Sequence, residues 1–458
     1  MLGVWLLQLA AVAEPTRPGH TANLAASPPS SLLLAGQTAL ALSVNTTKAT
    51  NCRWGPASAP FSALPHAFSS GENSQLHETQ VDGLSGNAEL SHVFVRCEAF
   101  HGEELHLVYR SMPDDTAANW PRKGNLWGSG NFAPPRRSLE YAASHVDLWL
   151  GAHWDAEQAA TLRKLNPSTL VLTSINACEG PDGLPEELYL HNITRPNSTR
   201  GRLESWPGAF RLDVTKLATQ RYQAMLMYNL MLYGGVGEAG QPASMSNITM
   251  PNDGMFVDNV FLTQSWAKSD IHNNPFFPDT TGTGKPDDPK EFDSKWRAGI
   301  IGELRMFRRW MPNAVMSGHA MSPTDPDIQE IFNAISIGFT TVEMIEGKKS
   351  FETGWQEYQN WMTLPKPKPH ITMVESAVRL QLGYGYGFDT QLATQNQGQP
   401  GFIPRETFQF SAHEYRYMRF GLAYTLMRDG YFAHELGKPY QLHLKCKNSS
   451  FYSHHRFI

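Results

Sequence analysis

The sequence predicts an α/β protein: a (β/α)8 TIM barrel preceded by a small all-β sandwich domain. Three observations lead to this reading. Residues 31–111 carry strand-like alternation between turn clusters and hold two cysteines. Beyond a linker at residues 112–124, short apolar runs alternate with helical stretches, the order of a repeating βα unit. The apolar runs that end before residue 437 number eight, the strand count of that barrel.

A chain of 458 residues has room for both parts, and 41% hydrophobic with 18% charged residues is a composition that folds. The net charge of −5 carries no polybasic signature, so neither nucleic acid nor an anionic membrane is an expected partner. Residues 1–13, MLGVWLLQLAAVA, form an apolar run ending in an A-x-A-like site and read as a signal peptide, although no Lys or Arg precedes the run. No stretch is long enough to read as a membrane span. The cysteines are Cys52, Cys97, Cys178 and Cys446, and none forms a C-x-x-C pair, so neither a zinc ribbon nor a redox motif is expected. Sequons at Asn45, Asn192, Asn197, Asn247 and Asn448 fit a secretory route.

In the first domain, SLLLAGQTALALSV (31–44) alternates in part, and HVFVRCEAF (92–100) puts Val93, Val95 and Cys97 on one face. A Cys52–Cys97 disulfide inside one small β domain suits a secreted protein. The run TNCRW (50–54), HETQVDGL (77–84) and HVFVRCEAF together resemble fibronectin-type-III-like modules. That resemblance implies that the Cys-Arg-aromatic strand pairs with the Val-Arg-Cys strand.

The barrel strands read as 124–131, 146–152, 169–177, 254–261, 313–320, 338–346, 370–377 and 429–436. Helix starts are marked by Asp288-Pro289 with Glu291, by Asp325-Pro326, and by Ser411 with Glu414. The segment 217–233 is apolar almost all round from Ala224 to Leu232 and reads as a buried helix between the barrel and its neighbouring domain. Residues 438–458 read as an irregular tail, as a truncated or divergent end would give.

In this architecture the active site lies at the C-terminal ends of the strands. The residues expected there are Trp127 and Asn131, His153 and Trp154, Asn176, Asp258 and Asn259, His319, Glu343, Glu375, and His434 with Glu435. Tyr384 and Tyr386 sit on a Gly-rich loop after the seventh strand. The ring is acidic and aromatic, with no strand-end Lys for Schiff-base chemistry. TGTGK (281–285) lacks the phosphate-loop spacing. His319 and His434 lack metal-ligand spacing, so neither a metal nor a cofactor is expected. Paired carboxylates beside aromatics fit glycoside hydrolysis, in which one carboxyl protonates the leaving oxygen and the other attacks carbon or activates water.

DGMFVDNVF (253–261), the Val342-Glu343 pair and YRYMRFGLAYTLMRDGYFAHELG (415–437) together resemble glycoside-hydrolase-like (β/α)8-barrel families. The resemblance spans most of residues 120–437 and implies a polysaccharide-active hydrolase. On it, Asp258 and Glu343 are the preferred catalytic pair, with Glu375 in reserve. The substrate expected is a carbohydrate, the location secreted or lumenal, and the oligomeric state stays open. The alternative is a non-catalytic carbohydrate-binding protein on the same scaffold.

Overall fold

A computed structural model describes residues 19–114, 120–126, 138–151, 154–193, 201–206, 208–234, 247–319, 321–337, 340–345, 347–364, 369–377 and 412–435. The expected signal peptide, the helix start at Ser411 and the 438–458 tail lie outside these residues. The chain forms two compact units, divided chiefly between Asp114 and Asp115.

The first unit contains β1 (Leu24–Ser27), β2 (Ser31–Leu33), β3 (Ala39–Thr50), β4 (Cys52–Gly55), β5 (His66–Ala67), β6 (Ser74–Asp82), β7 (Leu90–Cys97) and β8 (Leu105–Ser111). They make two sheets, ordered β1-β3-β6 and β2-β8-β7-β4-β5, with only the β2–β8 pair parallel. Alternation decides which face is buried. Leu40, Leu42 and Val44 of β3 meet Val93, Val95 and Cys97 of β7 in one apolar core, together with Leu107 and Tyr109. Cys52 stands directly opposite Cys97 across the β4–β7 pair, and the two form a disulfide.

The second unit contains β9 (Gly124–Leu126), α1 (Leu139–His145), β10 (Leu148–Leu150), α2 (Ala156–Leu165), β11 (Leu170–Asn176), β12 (Glu179–Pro181), β13 (Glu204–Trp206), β14 (Ala209–Arg211), α3 (Leu217–Tyr233) and β15 (Gly254–Asp258). It continues with α4 (Pro289–Trp310), whose last turn from Phe307 is counted with the first unit, then β16 (Val315–Gly318), α5 (Pro326–Ile331), β17 (Ala334–Ile337), α6 (Thr340–Ile345), α7 (Phe351–Thr363), β18 (Ile371–Ala377), α8 (Ala412–Leu426) and β19 (Tyr431–Glu435). Eight parallel strands, β9-β10-β11-β15-β16-β17-β18-β19, form a nearly closed barrel. A parallel bridge between Lys123 and Phe432 brings the last strand back beside the first. A separate antiparallel sheet, β12-β14-β13, follows β11.

Local chemistry explains the element boundaries. Asp155 closes a capping box with Gln158 at the start of α2. Asp288 accepts the backbone N–H groups of Lys290 and Glu291 at 3.0 Å each, and Asp325 caps α5 ahead of Pro326. In α3 the side chains of Ala224, Met227, Tyr228, Leu230, Met231 and Leu232 are buried, as its apolar sequence predicts. Gly254 opens β15 because a Cβ there would fall 1.9 Å from the Val315 carbonyl oxygen of β16.

One strand differs from expectation. The sixth barrel strand is Ala334–Ile337, and residues 340–345 of the expected 338–346 strand form the short helix α6. Both segments are short and apolar, and periodicity does not separate strand from helix at that length. The register decides: Ala334–Ile337 pairs residue by residue with Ile371–Val374 of β18.

Candidate active site

Alternation also fixes which side chains enter the barrel. Asp253, just before β15, bonds Arg163 of α2 at 3.0 Å, so Phe256 and Asp258 fall on the opposite, inner face. On β18, the Thr372 and Ser376 hydroxyls reach Met362 of α7 and the Tyr417 carbonyl of α8, which turns Glu375 inward.

Asp258 ends β15. Its Oδ1 accepts the Asn259 backbone N–H at 2.9 Å and lies 3.0 Å from His319 Nδ1. Asn259 holds φ +55°, a left-handed conformation that stops the strand immediately after the carboxylate. His319 is tied to the strand ends through its backbone: its N–H donates to the Val257 carbonyl and its carbonyl accepts from Val260 N–H.

Glu375 is 1% exposed, and neither carboxyl oxygen has a hydrogen-bond partner among the described residues. Burial raises its pKa; the Asp258 charge pushes the same way, while His319 opposes. The end of β15 thus holds a hydrogen-bonded carboxylate, and β18, three strands further round the barrel, holds a carboxyl biased towards its protonated form.

Asn176 ends β11 opposite Asp258, and its Nδ2 donates to Glu179 Oε2 at 2.7 Å. The small sheet brings Arg211 Nη1 within 3.1 Å of Glu179 Oε1 and 2.7 Å of Cys178 Sγ. Burial raises the Glu179 pKa, with Arg211 opposing and Asp258 adding. Burial also pushes the Cys178 thiol up to about 12. Glu179 and Arg211 were not expected at the site. Glu179 lies three residues beyond a strand end, which is a usable signal. Arg211 reaches it only through strand register, which the sequence does not display.

Two expected residues have other places. Trp154, expected in the strand-end ring, is 2% exposed and packs edge-to-face on Trp149 at 5.0 Å among Ala142, Val146 and Leu162. Its neighbour Asp155 caps α2, and that turn carries the indole into the helix layer. Glu343 is not on a strand. It lies in the first turn of α6, its side chain 35% exposed and 3.5 Å from Lys349 Nζ. His434 and Glu435 lie on β19 opposite Ser376 and Ala377. Trp127, Asn131, His153, Tyr384 and Tyr386 lie outside the described residues.

At the Asn192 sequon, Asn192 is 3% exposed, and its amide donates to the Pro275 carbonyl and accepts from Phe277 N–H. Among the described residues no group of three or more His, Cys, Asp or Glu is arranged to hold a metal ion, and no helix is long and apolar enough to cross a membrane.

No family model matches the chain, and no curated protein matches it. Solved structures with a similar fold include three glycoside hydrolases. The glycoside hydrolase domain of PelA from Pseudomonas aeruginosa is 11% identical, with 61% of this chain and 92% of that chain covered and a TM-score of 0.32. The noncanonic maltogenic α-amylase AmyB from Thermotoga neapolitana is 10% identical, with 52% of each chain covered and a TM-score of 0.30. A Bacteroides ovatus GH5 xyloglucanase is 8% identical, with 90% and 93% covered and a TM-score of 0.28. Likeness at this level carries nothing about which bond a protein cleaves.

Proposed function

We propose that the protein is an O-glycosyl hydrolase acting on a poly- or oligosaccharide, with Asp258 and Glu375 as its carboxylate pair. The observation that carries this is Glu375: a carboxyl buried inside the barrel, without a hydrogen-bond partner among the described residues, in the field of the Asp258–His319 pair. Such burial costs about 1–3 kcal/mol or more, so folding alone does not favour it.

The two carboxyls have the unequal surroundings that acid and base roles need. Glu375 holds its proton for the leaving-group oxygen. Asp258, aimed by His319 and the Asn259 N–H, attacks the sugar carbon or activates water. Glu343, on its helix and paired with Lys349, is set aside in favour of Glu375. The paired Cys-Arg-Trp and Val-Arg-Cys strands support a fibronectin-type-III-like assignment for the first domain. The disulfide supports an oxidising, secreted or lumenal location.

A hydrolysis screen of the purified protein against a glycan library tests the proposal. The wild type cleaves at least one glycan, and Asp258→Asn binds that glycan without cleaving it. Binding without cleavage by the wild type would replace the enzyme with a carbohydrate-binding protein on the same barrel.

A further inference from the structure

The chain after β11 turns back on the site. β12 pairs with β14 so that Glu179 stands directly opposite Arg211. Their side chains are 4% and 10% exposed, and they form an ion pair at 3.1 Å. Buried ion pairs are poor stabilisers, and apolar residues of similar volume commonly serve folding as well or better. This pair has other attachments. The Glu179 carboxylate accepts the side-chain amide of Asn176, whose strand position stands opposite Asp258. Asn259, next to Asp258, carries a left-handed backbone and donates its N–H to Asp258. Strained residues of this kind persist only where their surroundings over-determine them.

We propose that Glu179 and Arg211 are positioning residues for the Asp258–Glu375 pair: Glu179 fixes the strand-end amide of Asn176 opposite Asp258, and Arg211 compensates a third carboxylate placed there. The inserted sheet β12-β14-β13 is on this account part of the site. The inference rests on the glycosidase reading of Asp258 and Glu375. The charged and titratable groups around the pair are Asp258 at the end of β15, Cys178 before β12 and Glu303 on α4. Beyond them, His319 and Glu375 face Asp258 from the ends of β16 and β18.

The test uses the full chain as wild type, Glu179→Gln, Arg211→Gln and the double variant. The ring resonances of His319 are titrated by NMR. Removing the Glu179 charge lowers the His319 midpoint, and removing the Arg211 charge raises it, each by roughly half a unit or more. The double variant returns towards wild type. On a cleaved glycan the pH profile of kcat moves in the same two directions, and Glu179→Ala loses more kcat than Glu179→Gln, which keeps the acceptor oxygen. A merely structural pair would shift neither midpoint, or both the same way, and either result overturns the proposal. If Arg211→Gln does not fold, Glu179→Gln and the charge-balanced double variant still decide it. If the wild type cleaves nothing, the glycosidase reading fails separately, while the opposite His319 shifts or their absence still decide the coupling.

Discussion

The two units differ in what stands at the centre of their cores. The sandwich core is made mainly of Leu, Val and aromatic side chains, with the Cys52–Cys97 disulfide packed into it from one sheet. The barrel interior contains the Glu375 carboxyl and the Ser317 and Ser336 hydroxyls, all buried without hydrogen-bond partners among the described residues. Each of those groups gives up stability. The proposed site accounts for the polar centre of the barrel.

The sharpest break in this contrast is chemical. Asp258→Asn and Glu375→Gln each lower kcat by ~10²–10⁴-fold, the usual span for removing a positioned acid or base. Neither melts the protein, which circular dichroism checks alongside kinetics. Next come variants that damage apolar packing. Trp154→Ala removes a buried indole from between strand and helices, and urea unfolding shows a loss of about 3–5 kcal/mol. Glycan affinity of the folded fraction stays unchanged, because that ring packs in the helix layer. Replacing Cys52 and Cys97 with Ala costs about 2–5 kcal/mol in the same assay, since the disulfide restrains the unfolded chain.

A smaller effect appears in the dependence of stability on pH. The Glu375 pKa is raised in the folded protein above its ordinary value of 4.5. In the interval between the two values the unfolded state binds fewer protons, so stability falls as pH rises through it. Burial raises Glu303 in the same direction. Melting temperatures measured from pH 4.5 to 8 should therefore decline less steeply in Glu375→Gln than in wild type, with the variant the more stable near neutrality. A steeper decline in the variant would reverse the sign. The smallest change is expected from Glu343→Gln. Its half-exposed pairing with Lys349 contributes about 0–1 kcal/mol, and kcat stays near wild type.

The sequence displays the barrel well for a physical reason. Strands buried on both faces appear as unbroken apolar runs, as GMFVD does, and seven of the expected runs contain the observed strands. The sixth failed because Thr340–Ile345 and Ala334–Ile337 are both short, and neighbour pairing chose between them. Asp258 was legible as a polar residue ending an apolar run. Its proposed partner was not, because ranking Glu343 against Glu375 requires knowing which one sits on a strand and faces inward. The Glu179–Arg211 pair is set by the antiparallel register of β12 and β14, between residues far apart in sequence.

The most direct test of the central claim compares Glu375→Gln with Glu343→Gln on one glycan that the wild type cleaves. The account predicts that kcat/KM collapses in Glu375→Gln and stays within a few-fold of wild type in Glu343→Gln. Full activity in Glu375→Gln, with loss in Glu343→Gln, would contradict it.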